Sequence, residues 1–126
     1  MSPKTIKITY WVLLILFCVF HVMDAGGGIM MAKAGVDAMN KMELPPYLMP
    51  FLGVLKLLGV AALLQNQFKT VKEWAFAGFS FSLIGATVAH AAVHDQVAFI
   101  IMPVIFLAIL FVTYYCWRKL EQLRTV

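Results

Sequence analysis

The residues able to do chemistry are few, and they lie within or beside long apolar stretches. Lys56 is in the middle of one stretch, and His21 and His90 lie near the ends of two others. An ionisable side chain inside a membrane is costly and therefore marks a candidate for ligand binding or proton transfer. For Lys56 the structural alternatives are a side chain that reaches the membrane surface and a fixed ion pair.

The histidines offer a second kind of chemistry. His90 and His94 are four residues apart, a spacing that can chelate a metal or ligate haem when both lie on one helix face. This spacing is common, however, and His94 begins a short polar connector. We therefore predict no metal site and rank haem low. We favour a hydrogen-bonded His90 that binds a ligand or relays protons, with a purely structural histidine as the alternative.

Three carboxylates could neutralise Lys56, namely Asp24, Glu43 and Asp95. Asp24 is favoured, because it lies one helical turn beyond His21 on the same face. Glu43 and Asp95 fall in connectors.

The surrounding elements are transmembrane helices. Of 126 residues, 63% are hydrophobic and only 13% are charged, against about 25% charged in soluble domains. Four apolar runs approach the ~20 residues that cross a hydrocarbon core. We predict one transmembrane domain over residues 1–126, an all-α four-helix bundle with spans at about 8–24, 47–64, 74–93 and 97–117.

Between the first two spans, the pattern changes. Glycines at 26–28 are predicted to end the first helix, because glycine disfavours helix. Residues 29–44 are amphipathic and predict a helix lying in the membrane interface, which Pro45 and Pro46 end. The third run carries small residues at helical spacing, which favours close helix packing: Ala75, Gly78, Ser82, Gly85, Ala86 and Ala89.

The basic residues predict the orientation. The net charge is +4, but lysines and arginines sit at the ends of apolar runs rather than in one patch, which argues against nucleic acid. With both termini in the cytoplasm, only Lys33 and Lys41 lie outside. The cytoplasmic side then holds Lys4, Lys7, Lys69, Lys72, Arg118, Lys119 and Arg124.

This orientation brings the candidate residues to one depth. A helical side chain leans toward the N-terminus of its helix, so Lys56 leans outward while His21 and His90 lean inward. The sequence therefore predicts a polar pocket in the outer leaflet that contains Lys56, His90, His21, Asp24 and His94.

Two segments resemble the DoxX-like family of small bacterial membrane proteins. One is residues 44–59, with the sequence LPPYLMPFLGVLKLLG; the other is KEWAFAGF at 72–79 with GATVAH at 85–90. The resemblance covers essentially the whole chain. It implies a four-helix membrane bundle in the bacterial cytoplasmic (inner) membrane, and Lys56 and His90 match the family's motif positions.

Relatives in the wider DoxX group are associated with membrane oxidoreductases, including small subunits of thiosulfate:quinone oxidoreductase, and others are thought to help assemble redox or receptor proteins. The resemblance thus implies a quinone- or redox-associated subunit. The partners we consider are membrane lipid, a redox partner protein and a second copy of the chain. The sequence does not identify a cofactor, and a quinone ranks above haem. The alternatives are a non-catalytic assembly factor or ligand-binding protein acting through helix contacts, and an oligomeric carrier or channel.

Overall fold

The chain folds into α-helices joined by short connectors, and residues 2–125 contain no strand. The computed structural model describes these residues, without the side chains of 124 and 125. The five helices are α1 (Pro3–Ile29), α2 (Lys33–Lys41), α3 (Leu48–Leu64), α4 (Lys69–Ala92) and α5 (Val97–Thr125). Helices α1, α4 and α5 are long and apolar enough to cross a membrane. The 17 residues of α3 extend about 26 Å, slightly less than the ~30 Å hydrocarbon core.

Helix α1 begins and ends beyond the predicted apolar run. Ser2 caps its N-terminus by accepting a hydrogen bond from the backbone N–H of Thr5, and Pro3 occupies the first turn. The prediction that Gly26–Gly28 end this helix is wrong, since α1 continues through them to Ile29.

The last of these glycines, Gly28, lies in close contact with α3. A Cβ on Gly28 would lie 3.0 Å from the carbonyl oxygen of Met49, and one on Gly53 would lie 2.8 Å from that of Ala25. Small residues on both helices let the backbones approach, and the packing gained offsets the poor helix propensity of glycine.

Within the predicted amphipathic segment, α2 covers only Lys33–Lys41, and Met39 is its buried residue. The prediction that this helix continues to Pro45 is wrong. Met31 before α2 and Glu43 after it have positive φ angles of 53° and 57°, which turn the chain sharply at both ends. Helix α2 therefore folds back over the long helices instead of extending either neighbour.

The hydrophobic core lies at the end of the molecule that has both termini. Helix α1 packs against α3 and α5, and α4 packs against the same two helices. Cys18 and Cys116 are free buried thiols in this core. The core residues are Tyr10, Leu14, Phe17, Cys18, Val60, Leu63, Phe76, Phe79, Leu83, Leu110, Cys116 and Trp117. Cavities occupy the opposite end, beneath α2.

Candidate functional site

A chamber of about 520 Å³ lies beneath α2, with walls from all five helices. Four of the five candidate site residues line it, namely His21, Asp24, Lys56 and His90. They come from α1, α3 and α4, the three helices that the sequence predicted would form the pocket. Apolar side chains complete the wall, including Phe20, Met39, Leu52, Phe99 and Phe106.

Lys56 and Asp24 form an ion pair that joins α3 to α1 at the chamber wall. Asp24 is the carboxylate favoured from the sequence. The Lys56 side chain is 29% exposed, so it is neither deeply buried nor extended into solvent. An ammonium has three donors, and the bond to Asp24 uses one. The others can serve an oxygen atom of a ligand in the chamber.

His21 is the buried histidine of the chamber, with 4% of its surface exposed. Its Nδ1 lies 2.9 Å from the carbonyl oxygen of Phe17. A carbonyl only accepts, so Nδ1 donates. The ring stacks on Phe17 at 4.1 Å between centroids and contacts the edges of Phe79 and Phe106. These contacts fix the ring and make His21 part of the chamber floor.

His90 belongs to a hydrogen-bonded group centred on Asp95. The Asp95 carboxylate accepts from His90 Nδ1 at 2.8 Å, from Lys41 Nζ at 2.7 Å and from the backbone N–H of Gln96 at 2.8 Å. Because a carboxylate only accepts, Nδ1 of His90 carries a proton, and Nε2 is the ring nitrogen left for a ligand. The ring also stacks on Phe99.

The same contacts set the ionisation of Asp95 in the connector between α4 and α5. The hydrogen bond from Lys41, then that from His90 and then that from the Gln96 backbone hold the pKa of Asp95 well below its usual range. Asp95 is therefore ionised throughout the neutral range. From the sequence, Asp95 was a candidate only as a counter-charge for Lys56. No sequence pattern indicated that Lys41, 54 residues away, would reach Asp95.

His94 is separated from the chamber. It follows the end of α4 in the turn that leads to α5, with a positive φ of 52°, and it is exposed. His90 and His94 therefore do not share a helix face. Within the part of the chain that the structure describes, no group of three or more His, Cys, Asp or Glu side chains could hold a metal.

A groove of about 550 Å³ runs between α3 and α4 and adjoins the chamber. Its α4 wall is the row of small residues that the sequence assigned to close helix packing. That packing is absent at Gly78 and Gly85, where an added Cβ would have no atom within 4 Å. The α3 wall consists of Leu52, Leu55, Lys56 and Gly59.

The model of the DoxX-like family matches residues 12–113. The chain belongs to the DoxX-like family. The resemblance seen in its motifs is thus confirmed, and the matched range includes every residue that lines the chamber and the groove. No curated protein and no solved structure matches the chain.

This DoxX-like protein has a second polar cluster that sequence reasoning missed. Lys72, counted as a surface charge, is 1% exposed at the start of α4. Its Nζ donates to Asn66 Oδ1 at 2.9 Å and lies 5.0 Å and 5.6 Å from the ring centroids of Tyr10 and Trp117. The contacts link α1, α4 and α5 through cation–π interactions. The residues next to Lys72 in sequence do not indicate that it is buried, because the aromatic side chains that cover it come from distant helices.

Proposed function

We propose that this DoxX-like protein is a redox-associated membrane subunit that binds a quinone-type ligand in the outer chamber. The observation that carries the proposal is the placement of Lys56 and His90 on the wall of one cavity, otherwise lined mostly by apolar and aromatic side chains. Ligand sites are commonly of this kind, concave and apolar with a few converging polar groups. A quinone head, an apolar ring with two oxygens, matches that chemistry.

Each polar residue has a distinct role in this proposal. Lys56 donates a hydrogen bond to one ligand oxygen and stabilises negative charge that develops there on reduction. His90 exchanges a proton at Nε2, while Asp95 holds the ring through Nδ1. His21 shapes the aromatic floor, and Asp24 orients the Lys56 side chain through their ion pair. The electrons come from a partner oxidoreductase or a cofactor bound with it.

The proposal includes a membrane arrangement. Helix α3, close to membrane-spanning length and packed against α1 and α4, serves as the fourth span of a single-domain four-helix bundle. The excess of basic residues at one end supports an orientation with both termini in the cytoplasm of a bacterial cell and with α2 and the chamber at the outer side.

The test is quinone binding by purified protein in detergent. We expect Lys56→Met to weaken binding about ten-fold or more, because a hydrogen bond from a charged donor contributes about 1.5–3 kcal/mol. The double variant Asp24→Asn/Lys56→Met leaves no uncompensated carboxylate and should show the same loss with the fold intact by circular dichroism. Lys33→Met, an exposed lysine outside both cavities, is the matched control. Unchanged affinity in both Lys56 variants would refute the proposed role.

An assembly factor is the second candidate function, and the open small-residue face of α4 favours it. Gly78 and Gly85 have room beside them that a helix of a larger membrane protein could contact. Solvent extraction and mass spectrometry of the purified protein separate the two functions. A co-purified quinone supports the first, and a co-purified membrane protein with no quinone supports the second.

A further inference from the structure

The groove is an extension of the chamber. Lys56, Ser82, Ala86 and His90 line both cavities, so the two share one polar wall. Beyond Ser82 the groove follows α4 toward the terminal end of the molecule, past Phe79 and Gly78 to Ala75. A ligand seated at Lys56 and His90 therefore has a continuous path along α4.

This path is longer than the hydrocarbon thickness of one leaflet. The fifteen residues from Ala75 to His90 correspond to about 22 Å of helix at 1.5 Å per residue. Half of a ~30 Å hydrocarbon core is about 15 Å. The groove thus crosses the bilayer midplane, with its polar end in the half that contains α2 and its apolar end in the half that contains the termini.

The groove is open to lipid along α4. Gly78 and Gly85 are exposed, and a Cβ at either position would have no atom within 4 Å. A hydrocarbon chain can therefore enter the groove sideways from the bilayer.

We infer that the groove holds the polyisoprenoid tail of the ligand, with the head in the chamber and the tail running across the midplane along α4. This rests on the proposed function for the position of the head. An acyl chain of an outer-leaflet phospholipid begins at the membrane surface and ends near the midplane, so it does not reach Gly78 and Ala75. A long tail attached to a small head buried at Lys56 does reach them.

The test combines tail length with a blocked groove. A benzoquinone without a tail and one with a long isoprenoid tail are titrated into nanodiscs containing wild type, Gly78→Leu or Ala77→Leu. A leucine at 78 projects into open groove, meets no neighbouring atom at its Cβ and improves helix propensity, so the fold is retained. Ala77 is exposed and lies outside both cavities, which makes it the matched control.

We expect Gly78→Leu to weaken binding of the long-tailed quinone at least ten-fold, because the larger side chain fills the space that the tail occupies while the head is at Lys56. The tail-less quinone should bind all three proteins equally, and Ala77→Leu should match wild type. Equal binding of the long-tailed quinone to wild type and Gly78→Leu would overturn the inference while leaving the proposed function standing. Failure of both quinones to bind wild type would instead overturn the proposed function.

The same variants also detect two other occupants of the groove, a phospholipid acyl chain and a second copy of the chain. A phospholipid extracted from wild type but lost from Gly78→Leu would show that the groove takes an acyl chain. A change from dimer to monomer in Gly78→Leu, seen by native mass spectrometry with quinone binding unchanged, would show that it takes a second copy of the chain. Either result overturns the tail assignment.

Discussion

The Asp95 carboxylate accepts three hydrogen bonds at the end of the protein that contains α2. Through Lys41 the carboxylate holds the C-terminal end of α2, and through His90 it orients the ring that faces the chamber. Because these donors depress the pKa of Asp95 in the folded state, they stabilise the fold whenever the carboxylate is ionised. That contribution is present above the ordinary aspartate pKa of about 3.9 and is lost as the pH falls further.

We expect Asp95→Asn to lower thermal stability at pH 6 to 7, since the amide lacks the charge that pairs with Lys41 and His90. The difference from wild type should narrow as the pH falls below about 4, where the wild-type carboxylate begins to lose its advantage. Circular dichroism melts in detergent between pH 7 and 3 measure this difference. Asp37→Asn, an exposed aspartate on α2, provides the control. Parallel curves for Asp95→Asn and wild type over the whole range would contradict the assigned contacts.

Among the helices, glycine allows close packing at one place and leaves open space at another. Gly28 and Gly53 lie where α1 and α3 touch, with backbone atoms about 3 Å from where a Cβ would be. Gly78 and Gly85 on α4 meet nothing, because the side of α4 that carries them opens into the groove. In the sequence, both sets appear only as small residues in apolar helices. The sequence therefore could not show which glycines pack against another helix and which leave open space.

This difference predicts opposite effects for the same substitution. Gly53→Ala places a methyl group against the carbonyl oxygen of Ala25, which cannot move without shifting α1. We expect it to destabilise the protein by about 1–3 kcal/mol, the usual cost of overpacking. Gly26→Ala in α1 meets no atom within 4 Å, and its better helix propensity should leave stability unchanged or raised by up to about 1 kcal/mol.

Unfolding in mixed micelles with increasing sodium dodecyl sulfate measures both free energies. Equal stability of Gly53→Ala and wild type would show that α1 and α3 are farther apart in the membrane than in the structure described. A large loss in Gly26→Ala would show that an unrecognised contact covers that residue.

For the molecule as a whole, one end is densely packed and the other contains cavities. Aromatic and aliphatic side chains fill the end near the termini, where Lys72 is also buried. The chamber and the part of the groove from Ser82 to His90 lie at the end beneath α2. Cavities lower stability because their walls lose packing contacts. The dense core near the termini therefore stabilises a fold that keeps space open elsewhere.

The proposed orientation assigns these ends to opposite sides of the membrane. We expect a membrane-impermeant maleimide to label Asn40→Cys and Gln96→Cys in intact cells, and to label Ser2→Cys and Gln67→Cys only after the membrane is permeabilised. All four positions are exposed. The native thiols are buried and should give little background. Labelling of the second pair in intact cells, with the first pair protected, would invert the topology.

The sequence by itself determined the features that follow from composition and local pattern. Long apolar runs must be helical in lipid, because their backbone groups have no other partners there. A tight polar connector forces α4 and α5 to be neighbours, and the lean of helical side chains brings Lys56 to the level of Asp24. The all-α class, α2 and the membrane character could therefore be predicted, and four of the five candidate site residues line the chamber.

Only the tertiary structure decided the features that depend on which distant surfaces meet. Close contact between α1 and α3 at Gly28 and Gly53 accompanies a helix that continues through Gly26–Gly28, and aromatic rings from α1 and α5 buried Lys72. The fold also brought Lys41 to Asp95 and removed His94 from the chamber. Small residues on α4 became the wall of a groove because no neighbouring helix reached them. Local sequence carries no record of such distances, since packing partners are set by the arrangement of all the helices together.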